Sequence, residues 1–116
     1  MNIIKASKEL DKVEQYLLTL NRNMISVKDI EDDTKIDYVA FCLYEDVNSK
    51  DEDVEILTIL TPDKEVYCTQ SATFKKSFMD MWEMMNGTPF TIIKVSGITK
   101  AGRPYVDCIL DVTSIK

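Results

Sequence analysis

Histidine is absent from the 116 residues, and glycine, proline and cysteine occur three times each. Each shortage removes a class of function. Without histidine the commonest general base and metal ligand is missing. The glycines, Gly87, Gly97 and Gly102, spell neither a phosphate-cradling loop nor a nucleophile elbow. Cys42, Cys68 and Cys108 are odd in number, widely spaced and embedded in apolar, strand-like runs. That pattern fits reduced core thiols and neither a disulfide framework nor a metal site. So little glycine and proline leaves no low-complexity linker, and no repeat at solenoid spacing is present. No run approaches the roughly 20 apolar residues that span a bilayer. The opening Met1-Asn-Ile-Ile-Lys-Ala-Ser7 has too short an apolar run for a signal peptide, so a cytoplasmic protein with no membrane contact is expected. Acidic pairs such as Asp32-Asp33 and Asp51-Glu52-Asp53 suit Mg²⁺ in principle, but the sequence places no third ligand beside them. No metal, cofactor or enzymatic activity is expected.

What the chain does have is an apolar content of 45%, enough to fill one ordinary core, and residues 1–116 are expected to form a single domain. Its formal charge of −6 argues against a generally basic surface for duplex DNA. The acids are concentrated, however. Half of the twenty lie in two blocks: Asp29, Glu31, Asp32 and Asp33, then Glu45, Asp46, Asp51, Glu52, Asp53 and Glu55. From Thr88 onward the balance reverses, with Lys94, Lys100, Arg103 and Lys116 against Asp107 and Asp111. Screening confines each charge to a Debye length of about 8 to 10 Å, so summed charge is a poor guide to the local field.

Ser7 is the expected N-cap of a first helix, in which Leu10, Val13, Leu17 and Leu20 recur at helical steps up to residues 21–23. A strand is expected from Met24 to Ile30, and a period-two segment runs from Ile36 to Glu45. Val39, Phe41 and Leu43 form its expected core face; Tyr38, Ala40, Cys42 and Tyr44 form the less buried side. After a polar loop at 47–53, Val54 to Leu60 reads as a further strand, and Pro62-Asp-Lys64 turns the chain into Glu65 to Thr69. A second helix starts at Ser71 or Thr73, runs to about Asn86 and closes at Gly87. Phe74, Phe78, Met81, Trp82 and Met85 share one stripe of it, which is expected to pack on a sheet.

The chain finishes with Phe90-Thr-Ile-Ile-Lys-Val-Ser-Gly97 and Tyr105-Val-Asp-Cys-Ile-Leu-Asp-Val112 on either side of the turn Thr99-Lys-Ala-Gly-Arg-Pro104. In the last strand Val106, Cys108 and Leu110 alternate with Tyr105, Asp107, Ile109 and Asp111, an apolar face against a mixed one. The turn is cationic and its flanks are aromatic, the pairing that holds a nucleic acid backbone and stacks its bases. Strands joined mainly by turns fit parallel βαβ units poorly. The order of elements predicts a mainly β protein with an OB-fold: a five-stranded antiparallel Greek-key barrel, an N-terminal helix, and a helix between strands 3 and 4. The basic turn then becomes the loop between strands 4 and 5, where that fold binds oligonucleotides.

The segments Thr69-Gln-Ser-Ala-Thr-Phe-Lys-Lys-Ser-Phe78 and Thr99-Lys-Ala-Gly-Arg-Pro-Tyr-Val-Asp-Cys-Ile-Leu110 carry a resemblance, as does Val13-Glu-Gln-Tyr-Leu-Leu-Thr19. The chain resembles, over most of its length, the small single-stranded-DNA-binding proteins of bacteriophages and conjugative elements of Gram-positive bacteria. No part of the resemblance is a catalytic fingerprint. It implies an OB-fold that coats and protects single strands, without sequence specificity, during phage or mobile-element replication or recombination in the bacterial host cytoplasm. It also implies a homodimer or higher homo-oligomer, with replication or recombination proteins as partners. On this basis Lys100 and Arg103 contact phosphates, with Lys94, Lys64 and Lys28 as further cations, and Tyr38, Tyr44, Tyr67, Phe90 and Tyr105 are stacking platforms. The chain departs from the bacterial housekeeping type in one respect. Asp111-Val-Thr-Ser-Ile-Lys116 has none of the acidic tail through which that type recruits partners, so recruitment by a tail is not expected. The competing expectation is an acidic interaction module, or nucleic-acid mimic, whose clustered carboxylates occupy a basic site on a partner protein.

Overall fold

A computed structural model describes residues 1–115. Among the described residues are eight strands and two α-helices, so the expected mainly β class holds. In chain order the elements are β1 (Asn2–Ala6), α1 (Lys12–Thr19), β2 (Ile25–Ser26), β3 (Lys35–Asp37), β4 (Ala40–Val47), β5 (Asp53–Leu60), β6 (Val66–Thr69), α2 (Ala72–Met85), β7 (Thr91–Ile98) and β8 (Pro104–Leu110). Five expected strands become eight for definite reasons. The third expected strand is broken at Pro62 into β5 and β6, the Ile36 segment breaks at Tyr38 and Val39 into β3 and β4, and β1 is added, while the segment from Met24 yields only β2 before a 3-10 turn at Val27–Asp29. The strands lie in two sheets, one of five strands and one of three. The chain divides into two compact units, one of Met1–Ser26 and Tyr38–Gln70, the other of Val27–Asp37 and Ser71 onward.

The first unit holds a five-stranded sheet in the order β1-β4-β5-β6-β2. The β4–β5 hairpin pairs from Ala40↔Leu60 to Val47↔Asp53. Its acidic loop is organised by Asn48, whose side-chain oxygen accepts the Lys50 and Glu52 N–H groups at 2.8 and 3.0 Å. The strand β1 was not expected, because what makes it is a distant antiparallel partner, β4, and not local periodicity. Ser7, the expected helix cap, extends that pairing: its N–H donates to the Phe41 carbonyl at 3.2 Å, and its hydroxyl accepts the Phe41 N–H at 2.9 Å. The helix therefore begins later, with Asp11 as N-cap and Glu14 completing a reciprocal capping box.

This shift corrects the predicted apolar stripe of α1. Leu18 is fully buried, while Val13 and Leu20 are 66% and 61% exposed. Leu18 joins Ala40, Cys42, Tyr44, Leu60 and Val66 in the core of this unit, with Leu10, Leu17, Met24 and Ile56 packed against them. The carbonyls left over at the end of α1 need donors. The Thr58 hydroxyl donates to Leu18 at 2.6 Å, and the Tyr44 hydroxyl to Thr19 at 3.5 Å. The two-sided reading of β4 is corrected as well. Ala40, Cys42 and Tyr44 are as buried as Phe41 and Leu43, and Val39, expected in the core, is 46% exposed. A strand flanked on both sides within its sheet and covered on both faces reads as a continuous apolar run, which alternation cannot resolve.

The second unit holds the sheet β3-β7-β8 with α2 packed on β8. Ser71 caps α2 by accepting the Phe74 N–H at 3.2 Å, and its hydroxyl donates to the Val106 carbonyl at 3.1 Å, which ties the start of the helix to β8. Phe74 and Phe78 are fully buried, and Met81, Trp82 and Met85 are half-buried, so the expected stripe does face the core. The helix ends at Asn86 in the left-handed conformation, followed by Gly87, as the sequence suggested. Cys42 and Cys108 are buried and Cys68 is half-buried, all as free thiols. Burial pushes the Cys42 thiol up to about 11 and raises Cys108 further.

Candidate nucleic-acid interface

The hairpin β7–β8 pairs without a slip from Ile92↔Leu110 to Ile98↔Pro104. Thr99 closes the turn three times. Its N–H donates to the Arg103 carbonyl at 2.9 Å, its carbonyl accepts the Gly102 N–H at 2.9 Å, and its hydroxyl accepts the Arg103 N–H at 3.1 Å. Gly102 sits at φ +81°, a conformation that a residue with a Cβ rarely adopts. The turn is thus held from within, and Lys100 and Arg103 stand exposed on it.

Strand alternation sorts the hairpin into two faces. One carries Ile92, Leu110, Cys108 and Val106 toward α2, and with them Lys94. The other carries Ile93, Val95 and Gly97 on β7 opposite Ile109, Asp107 and Tyr105 on β8. On this second face Tyr105 is 38% and Ile109 50% exposed. Gly97 explains how Tyr105 is held. A Cβ at position 97 would meet the Tyr105 hydroxyl oxygen at 2.5 Å and Cζ at 2.7 Å, so the ring leans across the glycine and uses the space that a side chain would fill.

Lys100, Arg103 and Tyr105 therefore lie exposed on one hairpin. Other residues in the expected set are engaged inside the fold. Lys94 is 4% exposed; its ammonium donates to Asp32 at 2.9 Å and to the Ile30 carbonyl at 2.8 Å. Asp32 also accepts the Ser96 hydroxyl at 2.7 Å, and these two bonds, Ser96 first, hold its carboxyl below the usual range. Phe90 is 4% exposed with its ring 6.0 Å from that of Phe78. Tyr44 is 3% exposed in the first unit's core, and burial pushes its hydroxyl up to about 12. None of these three offers a free surface to a strand. Lys28 is exposed in the 3-10 turn of the second unit.

Tyr38, Lys64 and Tyr67 belong to the first unit. Tyr38 is half-buried with its ring edge-on to Phe41 at 6.5 Å. Lys64 is exposed in the turn before β6, and Tyr67 is half-buried, its hydroxyl donating to Glu65 at 3.3 Å. Burial raises both of these tyrosine hydroxyls, and Glu65 adds to the effect at Tyr67. The sequence reading missed Gly97, whose part depends on cross-strand register, and Ser96, which shares Asp32 with Lys94. Among the described residues no group of three metal-ligating side chains converges, and no helix is long and apolar enough to cross a membrane. No family model, curated protein or solved structure matches the chain.

Proposed function

We propose that this chain binds single-stranded DNA through the β7–β8 hairpin, with Lys100 and Arg103 on phosphates and Tyr105 under a base. The observation that carries the reading is the Tyr105 ring, partly exposed, braced on Gly97 and next to the only two cations of a self-closed turn. An aromatic platform contributes about 1–3 kcal/mol per stacked base, and it is sequence-tolerant because every base has a π-face. Phosphate contacts fix the strand without reading sequence.

Connectivity supports an OB-type arrangement. β3 and β4 follow one another in sequence with only Tyr38 and Val39 between them; β4 pairs with β5 and β3 with β7. The remaining pairs are β5 with β6 and β7 with β8, and α2 lies between β6 and β7. With β3 and β4 counted as one strand, and β1 and β2 as additions, this connectivity is consistent with five OB strands and a helix between the third and fourth. The resemblance noted above extends the proposal to strands exposed in phage or mobile-element replication or recombination, and to a homo-oligomer. The acidic-mimic reading has less support, because Asp32 of the first acidic block is engaged by Lys94 and Ser96.

Titration of labelled oligo(dT), and of duplex of equal length, over a range of salt tests the proposal. Two phosphate contacts predict a log–log salt slope of about −1.4 for the single strand. Absence of single-strand binding at low salt overturns it.

A further inference from the structure

On β8 a polar side chain follows Tyr105 along the exposed face. Asp107 lies two residues further along β8, on the same face and directly opposite Val95, with Ile109 beyond it opposite Ile93. Its Oδ1 accepts the Cys108 N–H at 2.8 Å, which fixes the carboxylate against the strand. Lone pairs on Oδ2 are left for a ligand. The platform and the acceptor are separated by about 7 Å, two residues of extended chain. That distance suits a base whose ring stacks on Tyr105 while its edge points along β8.

We infer that Asp107 makes this site select bases that present adjacent N–H donors, guanine foremost, over thymine. The inference rests on the single-strand reading. A carboxylate only accepts hydrogen bonds. Guanine shows it two neighbouring donors, N1–H and the N2 amino group. Thymine shows one N–H between two carbonyl oxygens, which meet the carboxylate as like partial charges. Carboxylates take base amino groups in the same way in groove readout. Val95, Ile93 and Ile109 flank the contact with apolar surface; a base stacked there would shield the contact from water, which strengthens a hydrogen bond. The same negative charge weakens phosphate binding for every strand, and only a donor-bearing base offsets that loss.

The test compares oligo(dT), alternating d(GT) and alternating d(IT), in which inosine lacks the N2 amino group, at equal length and in lithium salt to prevent guanine quartets. The full chain is expected to bind d(GT) about tenfold more tightly than oligo(dT), with d(IT) between them. Asp107→Asn keeps an oxygen for the Cys108 N–H but removes the charge. It is expected to tighten oligo(dT) binding and erase the preference, and Asp107→Ala is expected to erase it too. Equal wild-type affinity for d(GT) and oligo(dT), or a preference that survives in both variants, overturns the selection while leaving single-strand binding in place. Failure of every strand to bind overturns both.

Discussion

The end of the Tyr105 ring occupies the space above Gly97, its directly opposed neighbour across the β7–β8 ladder. A glycine in a strand interior is unfavourable by itself, since it packs nothing and orders more backbone freedom. Here the aromatic ring covers it, and in return the ring is restrained before any ligand arrives. A restrained platform loses less side-chain freedom on binding, which favours affinity.

Gly97→Ala is expected to push the Tyr105 ring aside. The atoms that must move are the far end of a flexible side chain, so the fold survives, with little change in the urea midpoint. Oligo(dT) affinity falls. Tyr105→Ala is expected to lose about 1–3 kcal/mol of binding, and Tyr105→Phe to keep nearly all of it, because stacking needs the ring and not the hydroxyl. Titrations of the three variants check this ranking.

Acid is expected to destabilise the second unit through two carboxylates. Asp32 is held below its usual range by Ser96 and then Lys94, and Asp111 by Thr113 and then Lys35. Because the folded values are depressed, the unfolded chain takes up protons first. The contribution of each group is complete above its unfolded value, about 3.9, and is lost as pH falls through the lower folded value. Asp32→Asn combined with Asp111→Asn should flatten this acid limb in urea titrations below about pH 4 and lower the stability at neutral pH.

The displaced register of α1 has a simple thermodynamic signature. Leu18→Ala is expected to lose about 2–5 kcal/mol by opening a core cavity. Val13→Ala and Leu20→Ala, at exposed positions, should stay within about 0.5 kcal/mol of wild type. Asp11→Ala should cost about 1 kcal/mol through the lost cap. Denaturant unfolding measures all four; a large loss at Val13 or Leu20 would restore the stripe expected from sequence.

Legibility in the sequence followed the range of the interactions involved. The α2 stripe and the final hairpin were readable because both are local: one is a helical period over a single segment, the other a turn with alternating flanks. The α1 start was partly readable. Asp11 and Glu14 already had capping-box spacing, but Ser7 offered a competing cap until its pairing with Phe41 was known. Long-range partners decided the rest. Tyr44 looked available as a stacking platform because alternation placed it opposite Phe41, whereas α1 and the neighbouring strands bury it. Lys94 looked like a phosphate contact until the Asp32 turn was found against it. The Gly97–Tyr105 pair was latent in the sequence, since the two residues are equidistant from Ala101, yet only an unslipped register turns that symmetry into a contact.

Amide chemical-shift mapping of the full chain during titration with oligo(dT) at low salt tests the central claim most directly, since it reports binding and its location together. The largest shifts are predicted between Ser96 and Ile109, centred on Lys100, Arg103 and Tyr105, and they should vanish in the Lys100→Glu, Arg103→Glu double variant while that variant keeps its folded spectrum. No shifts at low salt, or shifts away from the hairpin that persist in the double variant, would contradict it.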